Sequence, residues 1–157
     1  MAKFLLVHGG LHGAWCWSKL IPHLSALGHE IHAIDLPGLG EDPTPAETTT
    51  LSDYGDAVVQ GARSMGGGVI AVGHSLGGMA ISAGAEKAPE LFDRLIYLAA
   101  ILLADGDTVA AAGIPLDPSI TQNAVSPVMP REMCEVMFYN DCEPADIDAA
   151  MARLRPQ

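Results

Sequence analysis

Val69-Ile70-Ala71-Val72-Gly73-His74-Ser75-Leu76-Gly77-Gly78 decides how this chain folds. An apolar run of four ends in a Gly-x-Ser-x-Gly pentapeptide, and a helix-compatible stretch from Leu76 to Lys87 follows it. A serine between small residues can occupy a sharp strand-to-helix turn from which bulkier neighbours would be excluded. Such a turn lifts the Ser75 hydroxyl above the sheet edge. It also aims the Leu76 amide at the place where a substrate oxygen would develop charge. In a chain with 17 glycines the pentapeptide alone is a weak signal. The strand before it and the helix after it favour a nucleophile elbow over a glycine turn that merely packs a helix on a sheet.

Outward from the elbow, the pattern alternates. Phe4-Leu5-Leu6-Val7 is a continuous apolar run of the kind buried on both faces of a parallel sheet. A helix is expected over Cys16 to Leu27, with Trp17, Leu20, Ile21, Leu24 and Leu27 at helical spacing and Gly28 as its stop. Strands are expected at Glu30 to Ile34, Val69 to Val72 and Leu95 to Ala99. A helix capped by Ser52 or Asp53 is expected to run to about Ser64, and the helix after Ser75 to end near Ala88-Pro89. Glu41 to Thr50, rich in Pro, Thr and Glu, reads as an exposed connection. This order predicts an α/β fold, a doubly wound and mostly parallel sheet with right-handed crossovers.

After Ala100 the character changes. Asp105-Gly106-Asp107 reads as a turn, and Val109 to Val128 shows neither strand alternation nor a helical period. Short helices are expected at Pro130 to Met137 and Pro144 to Leu154, each opened by a proline. No strand is expected beyond them. Residues 1–104 therefore read as the N-terminal part of a core that is incomplete at its C-terminal side, and 105–157 as the start of a cap.

Composition narrows the function. The 157 residues, 49% hydrophobic, suffice for one sizeable core, and a net charge of −11 leaves no basic surface for nucleic acid or anionic lipid. No apolar run approaches membrane-spanning length, and the N-terminus shows no cleavage-site pattern. Cys16, Cys134 and Cys142 lack paired spacing and fit reduced thiols, so a cytoplasmic protein is expected, with a homodimer left open.

The loop His8-Gly9-Gly10-Leu11-His12-Gly13-Ala14-Trp15 follows the first strand. Its glycines allow close backbone approach to a substrate, so one of its amides can pair with that of Leu76 around an oxyanion. With Gly73-His74-Ser75-Leu76-Gly77-Gly78, this loop resembles the α/β-hydrolase fold family. More narrowly, the chain is similar to the branch of plant methylesterases, plant hydroxynitrile lyases and their bacterial esterase relatives. The narrower likeness is carried by His12-Gly13-Ala14-Trp15-Cys16-Trp17, Leu27-Gly28-His29, Asp35-Leu36-Pro37-Gly38-Leu39-Gly40 and Tyr97-Leu98-Ala99-Ala100. It extends from Phe4 to about Gly106. The resemblance implies hydrolysis of small or medium carboxylic esters, without cofactor or metal. Ser75 would be the nucleophile, Gly10 and Leu76 the oxyanion donors, and Gly9, Leu11, Trp15 and His74 would meet the substrate. Hydroxynitrile lyases of that branch carry a threonine where this chain has Gly9, which offers no hydroxyl, and His74 resembles the esterase pattern.

One part of the chemistry has no owner. A serine nucleophile needs a base, and the base needs an acid that fixes its tautomer. In this fold the chain order is nucleophile, acid, histidine. The six histidines, His8, His12, His23, His29, His32 and His74, all lie at or before the elbow. The acid and histidine are therefore expected from a complementary C-terminal segment outside this chain. The substitutes are poor: His74 adjoins Ser75 but points away on such a turn, and His8 and His12 sit in a glycine loop unsuited to a metal. Asp105 follows the fourth strand, where it is either a turn residue or a triad acid. Trp17 is either a pocket wall or buried beneath the loop. Met129, Met133 and Met137 either face a ligand or pack the cap. Besides an esterase, a carbon–carbon lyase and a non-catalytic small-molecule binding module on the same fold remain open.

Overall fold

The computed structural model describes residues 1–109 and 128–157. Strands β1 (Lys3–Val7), β2 (Glu30–Ile34), β3 (Val69–His74) and β4 (Phe92–Leu98) form one sheet in the order β2-β1-β3-β4, every neighbouring pair parallel. Side chains alternate across a strand, and a parallel sheet buries both faces. Leu5, Val7, Val69 and Ala71 therefore pack on one side against Tyr54, Val58 and Ala62 of α2 (Leu51–Ser64) and Ala80 and Ile81 of α3 (Gly77–Lys87). Leu6 and Val72 face the other side, beneath Trp17 and the half-buried Cys16 and Ile21. The α/β, doubly wound, parallel architecture is the one expected from the alternation.

Several boundaries differ from expectation, each for a local reason. The single helix over Cys16 to Leu27 is two pieces, a 3-10 turn at Ala14–Trp17 and α1 at Leu20–Ala26. Pro22 explains the break: inside a longer helix it would remove a backbone donor and clash with the preceding turn, whereas the first turn of α1 needs no donor there. Gly28 does close α1, at φ 79°, with its amide on the Ser25 carbonyl and that of His29 on the Leu24 carbonyl. The cap of α2 is Thr50, not Ser52 or Asp53. Its hydroxyl accepts from the Asp53 amide at 3.3 Å while the Asp53 carboxylate accepts from the Thr50 amide at 2.8 Å. Strand β4 begins at Phe92, three residues before the apolar run, because an edge strand can leave Asp93 and Arg94 in solvent.

The cap holds α4 (Arg131–Phe138) and α5 (Pro144–Met151), the second ending three residues sooner than expected. Cys134, Tyr139, Ile147, Ala150 and Leu154 form a separate apolar cluster whose remaining buried member is Leu11, from the loop after β1. The cap thus rests directly on that loop. The turn at Asp105-Gly106 is present, and the stretch 110–127, which offered no periodicity, lies outside the described residues. Among the described residues no helix is long and apolar enough to cross a membrane.

Candidate active site

Ser75 stands between β3 and α3 with φ 51°, one of three non-glycine residues in the left-handed region among the described residues. That conformation is costly for a side chain with a Cβ and persists only where neighbours enforce it. Here the enforcement is close packing. A Cβ on Gly73 would lie 2.5 Å from the Gly77 carbonyl oxygen, and one on Gly77 would lie 2.6 Å from that of Val7 and 2.7 Å from that of His8. The Ser75 carbonyl accepts from the amides of Gly78 (3.1 Å) and Ile101 (2.9 Å). No side chain among the described residues hydrogen-bonds the Ser75 hydroxyl, and none donates a carboxylate or imidazole to it.

The loop after β1 lies against this serine. A Cβ on Gly9 would come 3.0 Å from the Ser75 Cβ and 3.1 Å from His74 Nδ1, so only a bare backbone fits there. The orientation of the loop is set by His8, which is fully buried. The Leu36 amide donates to His8 Nε2 at 3.0 Å, so the ring proton resides on Nδ1, which donates to the Gly9 carbonyl at 2.8 Å. Within one peptide unit the carbonyl and the amide point in opposite directions. Tethering the Gly9 carbonyl therefore turns the Gly10 N–H the other way, and no partner for it is found among the described residues. Asp35 braces the far end of the loop, its carboxylate accepting from the amides of Ala14 (2.6 Å) and Glu41 (3.1 Å).

Above Ser75 opens a cavity of about 530 Å³ lined by Gly9, Gly10, His74, Ser75, Trp15 and Trp17 below and by Met137, Phe138 and Tyr139 of the cap. Ala149, Ala150 and Arg153 complete it on the α5 side, with Lys19 and Asp146 ion-paired at its margin. The lining is predominantly apolar, suited to a hydrophobic organic group. Trp17 is at once buried and a wall of this cavity, so both of its readings apply. The indole N–H groups of Trp15 and Trp17 find no acceptor among the described residues. Leu11 turns into the cap cluster and is not among the lining residues. Of the methionines only Met137 reaches the cavity, while Met129 packs against the cap cluster. Asp105 is exposed in its turn, away from the cavity.

The remaining histidines are engaged or distant. His12 Nδ1 lies 2.7 Å from the Gly10 carbonyl and its Nε2 2.8 Å from the Tyr139 hydroxyl. His29 Nδ1 accepts from the Ala2 amide, and His23 and His32 are exposed. His74 meets the edge of Trp17, ring centroids 6.5 Å apart. Cys16 also lines the cavity, but burial pushes its thiol up to about 12, so it is no thiolate nucleophile at neutral pH. Among the described residues no group of three potential metal ligands converges.

Burial holds His8, His12 and His74 below the ordinary imidazole value. The unfolded chain therefore binds these protons more readily than the native one, and stability rises with pH across that range. The urea midpoint is expected to be level above about pH 7 and to fall as pH drops below the unfolded histidine value of about 6.5. A midpoint unchanged between pH 7.5 and pH 5 would show that these rings titrate normally in the native state.

Comparison with known proteins places this geometry in context. A model of the alpha/beta hydrolase family matches residues 4–156. Salicylic acid-binding protein 2 of Nicotiana tabacum is 42% identical over 102 residues, and Methylesterase 1 of Arabidopsis thaliana 39% identical over 103. Each alignment covers 63% of this chain and 39% of the relative, so the chain spans about two fifths of the length of the curated proteins it matches. The crystal structure of the methylesterase MES16 from Arabidopsis superposes with a TM-score of 0.79 at 27% identity, covering 99% of this chain and 66% of that one. The structural likeness covers a larger share of this chain than either of those sequence alignments.

Proposed function

Because the chain belongs to the alpha/beta hydrolase family, we propose that it carries the nucleophile half of a serine esterase acting on small or medium carboxylic esters. The observation that carries this reading is a strained Ser75, its hydroxyl without a side-chain partner among the described residues, lining one cavity with Gly10, whose N–H is directed by His8 and has no partner among them. Ser75 attacks the ester carbonyl, the amides of Gly10 and Leu76 hold the oxyanion, the alcohol leaves, and water cleaves the acyl-enzyme. The aromatic cavity receives the apolar part of the ester, with Gly9, Trp15 and His74 beside the reacting carbon. The relatives named as methylesterases support a small alcohol portion.

The acid and the histidine come from a C-terminal segment outside this chain. Both ring nitrogens of His8 and of His12 are already engaged, and no histidine follows His74 in the sequence. Among the described residues strand β4 is hydrogen-bonded to β3 alone, with Ile96 and Leu98 exposed, which suits further strands beside it. The three free thiols suit a reducing, cytoplasmic setting.

A missing base can be replaced by a diffusible one. The chain should be modified at Ser75 by a fluorophosphonate slowly on its own and markedly faster with added imidazole, as read by intact mass and peptide mapping. No modification under either condition, with binding of a small carboxylic acid retained, would instead identify a binding module. Release of cyanide from mandelonitrile without hydrolysis of p-nitrophenyl acetate would identify a lyase.

A further inference from the structure

The peptide between Gly10 and Leu11 is held on one side by its own loop and on the other by the C-terminal tail of the cap. Its carbonyl accepts from His12 Nδ1 at 2.7 Å, and its N–H donates to the side-chain oxygen of Gln157 at 3.0 Å. Since the Gly10 carbonyl can only accept, the proton of the neutral His12 ring is on Nδ1, and Nε2 accepts from the Tyr139 hydroxyl at 2.8 Å. The ring is fixed further by stacking on Trp15 (centroids 5.3 Å apart) and by the edge of Phe138 (5.3 Å). Leu11 itself is left-handed at φ 63°, and its carbonyl accepts from the Arg155 amide at 3.0 Å. A strained residue with both backbone groups bonded to the cap is a conformation that the cap imposes.

We propose that His12 is a positioning residue through which α4 and Tyr139 hold the Gly10 Cα in place, and with it the amide that His8 orients. This rests on the reading of that amide as an oxyanion donor. The peptides 9–10 and 10–11 share the Gly10 Cα, so displacing the second shifts the position of the Gly10 N–H while His8 keeps its direction. His12, Phe138 and Tyr139 all line the cavity, so a ligand that moves Phe138 or Tyr139 acts on the donor through His12. His12 touches no reacting atom; its work is done through Gly10.

The test uses the fluorophosphonate reaction with imidazole in excess, because the phosphonyl oxygen occupies the same position as an ester oxyanion. His12→Ala and Tyr139→Phe should each lower the limiting rate of Ser75 modification about tenfold, as displacement of a catalytic group does, with the half-saturating probe concentration unchanged. His12→Asn, whose amide can stand in for Nδ1, should restore most of the rate. Hydrogen exchange of the Leu11 amide should quicken about tenfold in His12→Ala, as local opening of its loop becomes easier. Limiting rates equal to the parent, a change confined to half-saturation, or His12→Asn no better than His12→Ala would each overturn the proposal. If the parent is never modified at Ser75, the reading of the site fails first. The Leu11 amide then decides alone, and unaltered exchange refutes the coupling.

Discussion

Ser75→Ala is expected to abolish fluorophosphonate modification completely, with and without imidazole, while leaving the unfolding free energy from urea titration within about 0.5 kcal/mol of the parent. Its buried neighbours are poor substitutes. Cys16 is protonated at neutral pH, His8 and His12 are committed at both nitrogens, and His74 adjoins the hydroxyl without replacing it. The small effect on stability follows from geometry. Alanine keeps the Cβ that φ 51° penalises, and the lost hydroxyl has no side-chain partner among the described residues. Loss of reactivity without loss of fold separates a chemical role from a structural one. Modification persisting elsewhere in the cavity would remove Ser75 from its assignment.

Gly77→Ala is expected to be among the most damaging single methyl groups in the fold. Its Cβ would meet the carbonyl oxygens of Val7 and His8 at 2.6 and 2.7 Å, both main-chain atoms at the end of the central strand β1. Neither can step aside as a flexible side chain could, so α3 must lift from the sheet and carry Ser75 and Leu76 with it. Overpacking of this kind costs about 3 kcal/mol. Against a total of about 5–15 kcal/mol, that is a large fraction of the stability. At about 2–4 °C per kcal/mol for a domain of this size, the melting temperature should fall by about 10 °C. Gly28→Ala offers the contrast: its Cβ would meet open space, leaving only the left-handed φ of 79° to pay for, about 1 kcal/mol. Equal losses in the two variants would mean that α3 is not packed on β1 as described.

The elbow was legible because it is local. Val69 to Gly78 holds the strand, the turn and the helix start in one uninterrupted stretch, and each small residue there answers to a close backbone approach. The glycine loop was legible for the same reason. Pro22 was legible too, and reading periodicity alone over Cys16 to Leu27 passed over it. His12, by contrast, finds its partner Tyr139 at a separation of 127 residues, and Leu11 finds Gln157 at 146. Neither contact has a period, and the only trace in the sequence is one polar ring inside a glycine-rich loop. His8 likewise reads as one more loop histidine until the Leu36 amide fixes its tautomer. What sequence could still say was negative: no histidine follows the elbow, and the folded chain brings none of the earlier ones to Ser75 among the described residues.

The most direct test of the central claim is a crystal structure of the chain after fluorophosphonate treatment in imidazole. The expected adduct has phosphorus bonded to Ser75 Oγ and its free oxygen about 2.7–3.1 Å from both the Gly10 and Leu76 nitrogens, with the rest of the group in the aromatic cavity. An adduct on Ser75 whose oxygen points into solvent, away from these two amides, would contradict the oxyanion site and with it the esterase reading.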